Sequence, residues 1–216
     1  VTPVVFDLDG TLVHSAPDIH AAVNRMLDGI GQAPLTLATV GSFVGRGVPS
    51  LVDRVIEHLD LDPGRHDDMV AAMLEHYNRA PADLTRPYPG VPEMLETLAA
   101  RGHPLAVCTN KPEAPARRVL SLLGLGTHIA AVVGGDSLSR RKPDPAPLRH
   151  TFALLGHETG LFVGDSEVDA ECAQRAGVPF LLFSGGYRKG PVTDLPHHAV
   201  FDHFGDLAGL VAPASV

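Results

Sequence analysis

Two aspartates, Asp7 and Asp9, stand two residues apart directly after the apolar run Val4-Val5-Phe6 and just before Gly10. A short apolar run that stops at polar residues reads as a buried strand, and the glycine lets the chain turn. Ligands of open α/β sheets bind beyond the carboxyl ends of the strands. Both carboxylates therefore fall where a reaction would occur. Two acids so placed can divide the work between a nucleophile and a general acid and base, if their surroundings push their pKa values apart. Aspartates after a strand also shape turns and cap helices, so the rest of the chain has to decide.

Three further apolar runs end in residues suited to the same chemistry. Leu105-Ala106-Val107-Cys108 leads into Thr109-Asn110-Lys111. Thr109 and Asn110 offer a hydroxyl and an amide to phosphoryl oxygens, or else cap the helix that Pro112-Glu113 begins. In Arg140-Arg141-Lys142-Pro143-Asp144-Pro145, Asp144 reads as a helix cap with Pro145 at the first helical position. That leaves Lys142 on an extended segment, where it can aim its ammonium at a phosphate. The chain has only three lysines, Lys111, Lys142 and Lys189, and two of them lie in these loops. Leu161-Phe162-Val163 leads into Gly164-Asp165-Ser166-Glu167-Val168-Asp169. Asp7 and Asp165, with water, make a hard oxygen-rich site that suits Mg²⁺. Ser166 and Asp169 have capping-box spacing, so Asp169 ties down a helix start, supports the surroundings of the metal, or does both.

The elements that position these residues alternate. Strands are expected at Val4–Phe6, Leu105–Cys108, Ala131–Val133, Leu161–Val163 and Phe180–Phe183. Helices are expected over Val91–Arg101, Glu113–Leu123, Pro145–Leu155 and Glu167–Ala176, each followed by glycine. This alternation predicts an α/β fold: a Rossmann-like core with a parallel sheet flanked by helices. Between the first strand and the rest, Ile19–Leu27, Ser50–Leu59 and Asp67–Tyr77 read as amphipathic helices with no strand among them. The expected division is a catalytic core of 1–13 and 85–216 with a helical cap of 14–84 inserted after the first strand. Two linkers beside an active loop suit a lid. The end of the chain, 212–216, reads as a loose tail.

Composition narrows the function. At 44% hydrophobic residues the chain can bury a core, which excludes a disordered protein. A formal net charge of −8 argues against a nucleic-acid or anionic-membrane partner and leaves room for a small anionic substrate. No apolar stretch approaches a membrane span, and Asp7 and Asp9 interrupt the N-terminal apolar run, so neither a membrane anchor nor a secretory signal is expected. Cys108 and Cys172, without a CxxC pair, read as reduced thiols of a cytoplasmic protein. His197, His198 and His203 lack metal-ligand spacing and read as a solvated loop.

Taken in order, the four segments resemble the motifs of the haloacid dehalogenase-like superfamily of phosphotransferases, over the whole chain. Within it, Phe6 to Ser15, Phe43-Val44-Gly45-Arg46-Gly47-Val48-Pro49, Cys108 to Pro112 and Gly186-Tyr187 look most like the phosphoglycolate phosphatase subfamily. The resemblance implies a Mg²⁺-dependent hydrolase of a small phosphorylated metabolite, acting as a monomer or homodimer. Asp7 would be the nucleophile that forms an aspartyl-phosphate, and Asp9 the acid and base. Asp7, the backbone carbonyl of Asp9 and Asp165 would hold the metal, with Asp169 behind them. Thr109, Asn110 and Lys142 would bind the phosphoryl group. Arg46, in a glycine-rich turn before a helix, would bind the substrate's carboxylate from the cap. A phosphatase of another small metabolite, a phosphosugar mutase and a non-catalytic phosphate-binding scaffold are the alternatives. The absence of any lysine before Lys111 counts against the mutase, whose known relatives place a cap lysine over the substrate.

Overall fold

The computed structural model describes residues 1–211; the tail expected at 212–216 lies outside them. Strand β1 (Val4–Phe6) is fully buried and runs straight into Asp7. A two-residue strand β2 (Val13–His14) then leads to the helices α1 (Ala16–Asp28), α2 (Leu37–Gly41), α3 (Val48–Leu59) and α4 (His66–Arg79). Strand β3 (Arg86–Pro87) returns antiparallel to β2, with Val13 opposite Pro87 and His14 opposite Arg86. Alternation follows through α5 (Val91–Ala100), β4 (Leu105–Cys108), α6 (Glu113–Leu122), β5 (Ala131–Val133) and α7 (Ala146–Leu154). It continues through β6 (Leu161–Gly164), α8 (Glu167–Ala176) and β7 (Phe180–Phe183), then β8 (Ala199–Phe201) and α9 (Phe204–Leu210).

The main sheet has six strands in the order β5-β4-β1-β6-β7-β8, all paired parallel, so the fold is the Rossmann-like α/β architecture expected. Its inner strands are continuous apolar runs because both faces are covered. On one face Phe6, Val107 and Val163 pack with Leu95 and Leu98 of α5, Val119 of α6 and Phe204 of α9. On the other, Val5, Ala106 and Phe162 pack with Phe152 of α7 and Ala173 of α8. A third cluster lies among α1 to α4, built from Ile19, Val23, Leu27, Val52, Met69 and Met73.

Several local details differ from expectation. Helix α3 starts at Val48 rather than Ser50, because Gly47 takes φ 85° as its cap and Pro49 fits the first turn. Pro145, not Asp144, caps α7, and Asp144 Oδ1 instead accepts the Ala146 N–H at 2.9 Å. The β2–β3 ribbon, α2, β8 and α9 were not anticipated, each being too short to carry a periodic signal.

One buried acid ties the helices to the returning chain. Asp18, in the first turn of α1, accepts hydrogen bonds from Thr85 N (2.7 Å), Thr85 Oγ1 (2.6 Å) and Leu84 N. Asp18→Ala leaves the buried donors of Thr85 unpaired, at about 1–3 kcal/mol. Urea unfolding should show the midpoint falling with an unchanged m-value. An unchanged midpoint would mean that water replaces the carboxylate.

Candidate active site

The site follows from strand register. Phe6 of β1 pairs with Val107 of β4 on one side and Val163 of β6 on the other. β4 and β6 each run one residue past the partner of Phe6, so Asp7, Thr109 and Asp165 leave the same edge of the sheet within one residue of level. Strand order also reverses here: the chain runs outward from β1 to β4 and β5, then crosses to β6. The crevice at such a switch point is where open α/β sheets bind ligands.

Lys142 sits at the centre of this edge. It is 2% exposed, and its ammonium donates to Asp169 Oδ1 at 2.7 Å while lying 2.9 Å from Asp7 Oδ1. The second approach is an ion pair off the hydrogen-bond direction, so Asp7 Oδ1 is buried without a hydrogen bond. The sequence placed Lys142 on an extended segment free to meet a phosphate; the structure shows it already engaged by two carboxylates. Asp169 has no spare oxygen either. Its Oδ2 accepts from Ser166 Oγ (2.6 Å) and from the N–H groups of Ser166 and Asp165, completing the capping box of α8. Asp165 is held by Thr11 Oγ1 on Oδ1 (2.7 Å) and by the Tyr187 N–H on Oδ2 (2.6 Å).

Asp7, Asp165 and Asp169 bring oxygens within 4.8 Å of one another. Three carboxylates against one ammonium leave excess negative charge in a buried place. Burial pushes the Asp7 carboxyl up from 3.8 to about 7, against the opposing pull of Lys142 and with a further push from Asp169. Asp165 is also held well above the usual carboxylate range, by burial first and then by Asp169 and Asp7. A hard divalent cation relieves all of this, and the buried all-oxygen donor set fits one.

Asp9 faces a cavity between the sheet edge and the helices. Both of its oxygens accept from Lys111 Nζ, each at 3.0 Å. Lys111 is buried, and its ammonium also lies 4.4 Å from the ring centroid of Tyr77 on α4. Asp7, Asp9, Thr109, Asn110 and Lys111 form the polar part of the cavity wall, and Ile19, Val44, Leu51 and Met73 much of the rest. The Asn110 amide nitrogen is not free: Nδ2 donates to Lys142 O (2.9 Å) and across to Gly45 O (3.1 Å), while Oδ1 is buried without a hydrogen bond. Thr109 Oγ1 accepts from the Lys111 N–H at 3.2 Å. Arg46 is exposed and does not line the cavity. The partners of Lys111 and the Thr11 and Tyr187 contacts to Asp165 were missed from sequence. The scarcity of lysine was the one available signal for Lys111.

Comparison with known proteins agrees with this layout. Residues 4–183 match the family model described as haloacid dehalogenase-like hydrolase. The chain is 51% identical over 210 residues to a phosphoglycolate phosphatase of Cereibacter sphaeroides, covering 96% of each chain. It is 47% identical to a phosphoglycolate phosphatase of Rhodospirillum rubrum, covering 97% of this chain and 92% of that one. The crystal structure of a predicted phosphoglycolate phosphatase from Haemophilus somnus 129PT superposes with a TM-score of 0.90 at 30% identity, covering 97% of each chain.

Two expectations follow from the acid cluster. Without metal, Asp7 keeps its proton in the folded state up to about pH 7, while the unfolded chain loses it near 3.8. Folded protein then binds more protons than unfolded across that window, so stability falls as pH rises through it. Cation binding, which needs ionised carboxylates, offsets this loss. The gain in Tm on replacing chelator by Mg²⁺ should be larger at pH 8 than at pH 5. His66, raised by its bond to Asp67, also loses stabilisation as pH rises, but equally with and without metal. A gain independent of pH would place the cation elsewhere. Second, a Cβ on Gly186 would lie 2.3 Å from Asp165 Cβ and Oδ2. Gly186→Ala should therefore shrink the Mg²⁺-induced Tm gain at pH 8, and an unaltered gain would remove Asp165 from the binding site.

Proposed function

The chain belongs to the haloacid dehalogenase-like hydrolases, and from that premise we propose that it is a Mg²⁺-dependent phosphatase converting 2-phosphoglycolate to glycolate and phosphate. The observation that carries the reading is the arrangement of two carboxylates at one strand end. Asp7 stands at the switch point against Lys142, and Asp9 faces the cavity.

An oxygen of Asp7 bonds to phosphorus as the bond from phosphorus to the glycolate oxygen breaks. Asp9 gives its proton to that departing oxygen. Water then attacks phosphorus, Asp9 takes the proton, the bond to Asp7 breaks, and inorganic phosphate leaves. Lys142 orients Asp7 and offsets charge on the phosphoryl oxygens, and the Thr109 hydroxyl hydrogen-bonds to one of them. Asp7, Asp165 and the backbone carbonyl of Asp9 would hold Mg²⁺, which when bound offsets phosphoryl charge and keeps Asp7 ionised. Asp169 acts behind them, by fixing Lys142 and the turn at Asp165. The apolar wall from α1, α3 and α4, with Val44 of the turn before α3, excludes water that would weaken these charges. On this reading 14–84 is a cap over a core of 1–13 and 85–216. The buried free thiols Cys108 and Cys172 suit a reducing compartment such as the cytoplasm.

The test is chemical trapping. Brief reaction with ³²P-labelled phosphoglycolate followed by acid quench should leave label on Asp7, and Asp7→Asn should leave none while the circular dichroism spectrum is retained. Asp9→Asn should slow turnover by about 10²–10⁴. Label at Asp7→Asn in the same peptide would refute the nucleophile assignment.

A further inference from the structure

Given the phosphoglycolate reading, on which this rests, we propose that Lys111 rather than Arg46 receives the substrate's carboxylate. In 2-phosphoglycolate the oxygen that leaves phosphorus is bonded to the methylene that carries the carboxylate. Asp9 delivers its proton to that oxygen. Whatever holds the carboxylate must therefore stand beside Asp9.

Lys111 stands there, with its ammonium 3.0 Å from each oxygen of Asp9. It is the one cation among the described residues that line the cavity. Much of the remaining wall is apolar, with Ile19, Val44, Leu51, Met73 and Pro115. A carboxylate entering this part of the cavity without a cation would lose water and gain no partner. Arg46 sits exposed on the turn before α3, outside the wall. Lys111 is also held from the side of the helices, where the Tyr77 ring of α4 lies under its ammonium. When substrate binds, its carboxylate accepts from Lys111 in place of Asp9, and Asp9, released from the ammonium, takes up a proton from solvent and turns to the leaving group. The carboxylate of Asp9 is thus a stand-in for the substrate's own anion.

The experiment compares phosphoglycolate with ethyl phosphate, which matches it in length but ends in a methyl group. In Lys111→Met the ratio of kcat/KM for phosphoglycolate to that for ethyl phosphate should fall by about ten- to a hundredfold, with most of the change in KM. Lys111→Arg, which keeps the charge, should retain part of the preference and guards against misfolding of the methionine variant. Glycolate binding, read by calorimetry without turnover, should be lost in Lys111→Met and kept in Arg46→Ala. An equal fall for both substrates would show that Lys111 only positions Asp9, and would overturn the proposal. An unchanged ratio overturns it as well, as does collapse of the ratio in Arg46→Ala alone. If the wild-type protein itself does not prefer phosphoglycolate to ethyl phosphate, the phosphoglycolate reading fails, and this is seen before any variant is made.

Discussion

The buried ammonium of Lys142 is the contact on which the rest of the sheet edge depends. It arrives from the loop before α7 and lies between Asp7, at the end of β1, and Asp169, in the first turn of α8. Removing it would leave carboxylates facing one another in a place with little water, a situation that proteins resolve by protonation or by opening. Two of the sheet's loops are therefore held at fixed separation by electrostatics rather than by apolar packing. The arrangement is rigid because Asp169 spends both oxygens, one on Lys142 and the other on the backbone of Asp165 and Ser166.

Much of this was legible in the chain because parallel sheets write themselves as short apolar runs. Each of β1, β4, β5, β6 and β7 is such a run, and Asp7, Thr109 and Asp165 follow directly on theirs. The helices were legible from leucine spacing and closing glycines. What escaped was of two kinds. Short elements such as β8, with Val200 exposed at its centre, carry no period that distinguishes them from loops. Side-chain partners escaped for a different reason. Nothing near Lys111 in sequence points to Asp9, 102 positions away, and nothing near Asn110 points to Gly45. The glycine-rich turn that drew attention to Arg46 does reach the cavity, through Gly45 and Gly47, while the guanidinium between them is exposed.

Asn110 joins the two halves of the site. One amide nitrogen bonds the carbonyl of Lys142 in the core loop and the carbonyl of Gly45 before α3. Lys111, the next residue, reaches Asp9 of the core and Tyr77 of α4. Adjacent residues of one loop thus touch both the chemistry at the sheet edge and the helices above it.

The ribbon of β2 and β3 has its own consequence. The chain leaves the core and comes back to it at paired residues, His14 opposite Arg86, so everything between them begins and ends at one spot. Such a segment is topologically a loop, however large. The strand order of the sheet does not depend on its length or content, and its helices share their own apolar cluster around Val23, Val52 and Met73. It behaves as a cassette. On the proposed function the groups that carry the reaction leave the edge of the main sheet, and the inserted segment supplies much of the apolar wall above them. A segment joined in this way can be lengthened, shortened or exchanged at one junction without re-pairing any strand of the main sheet.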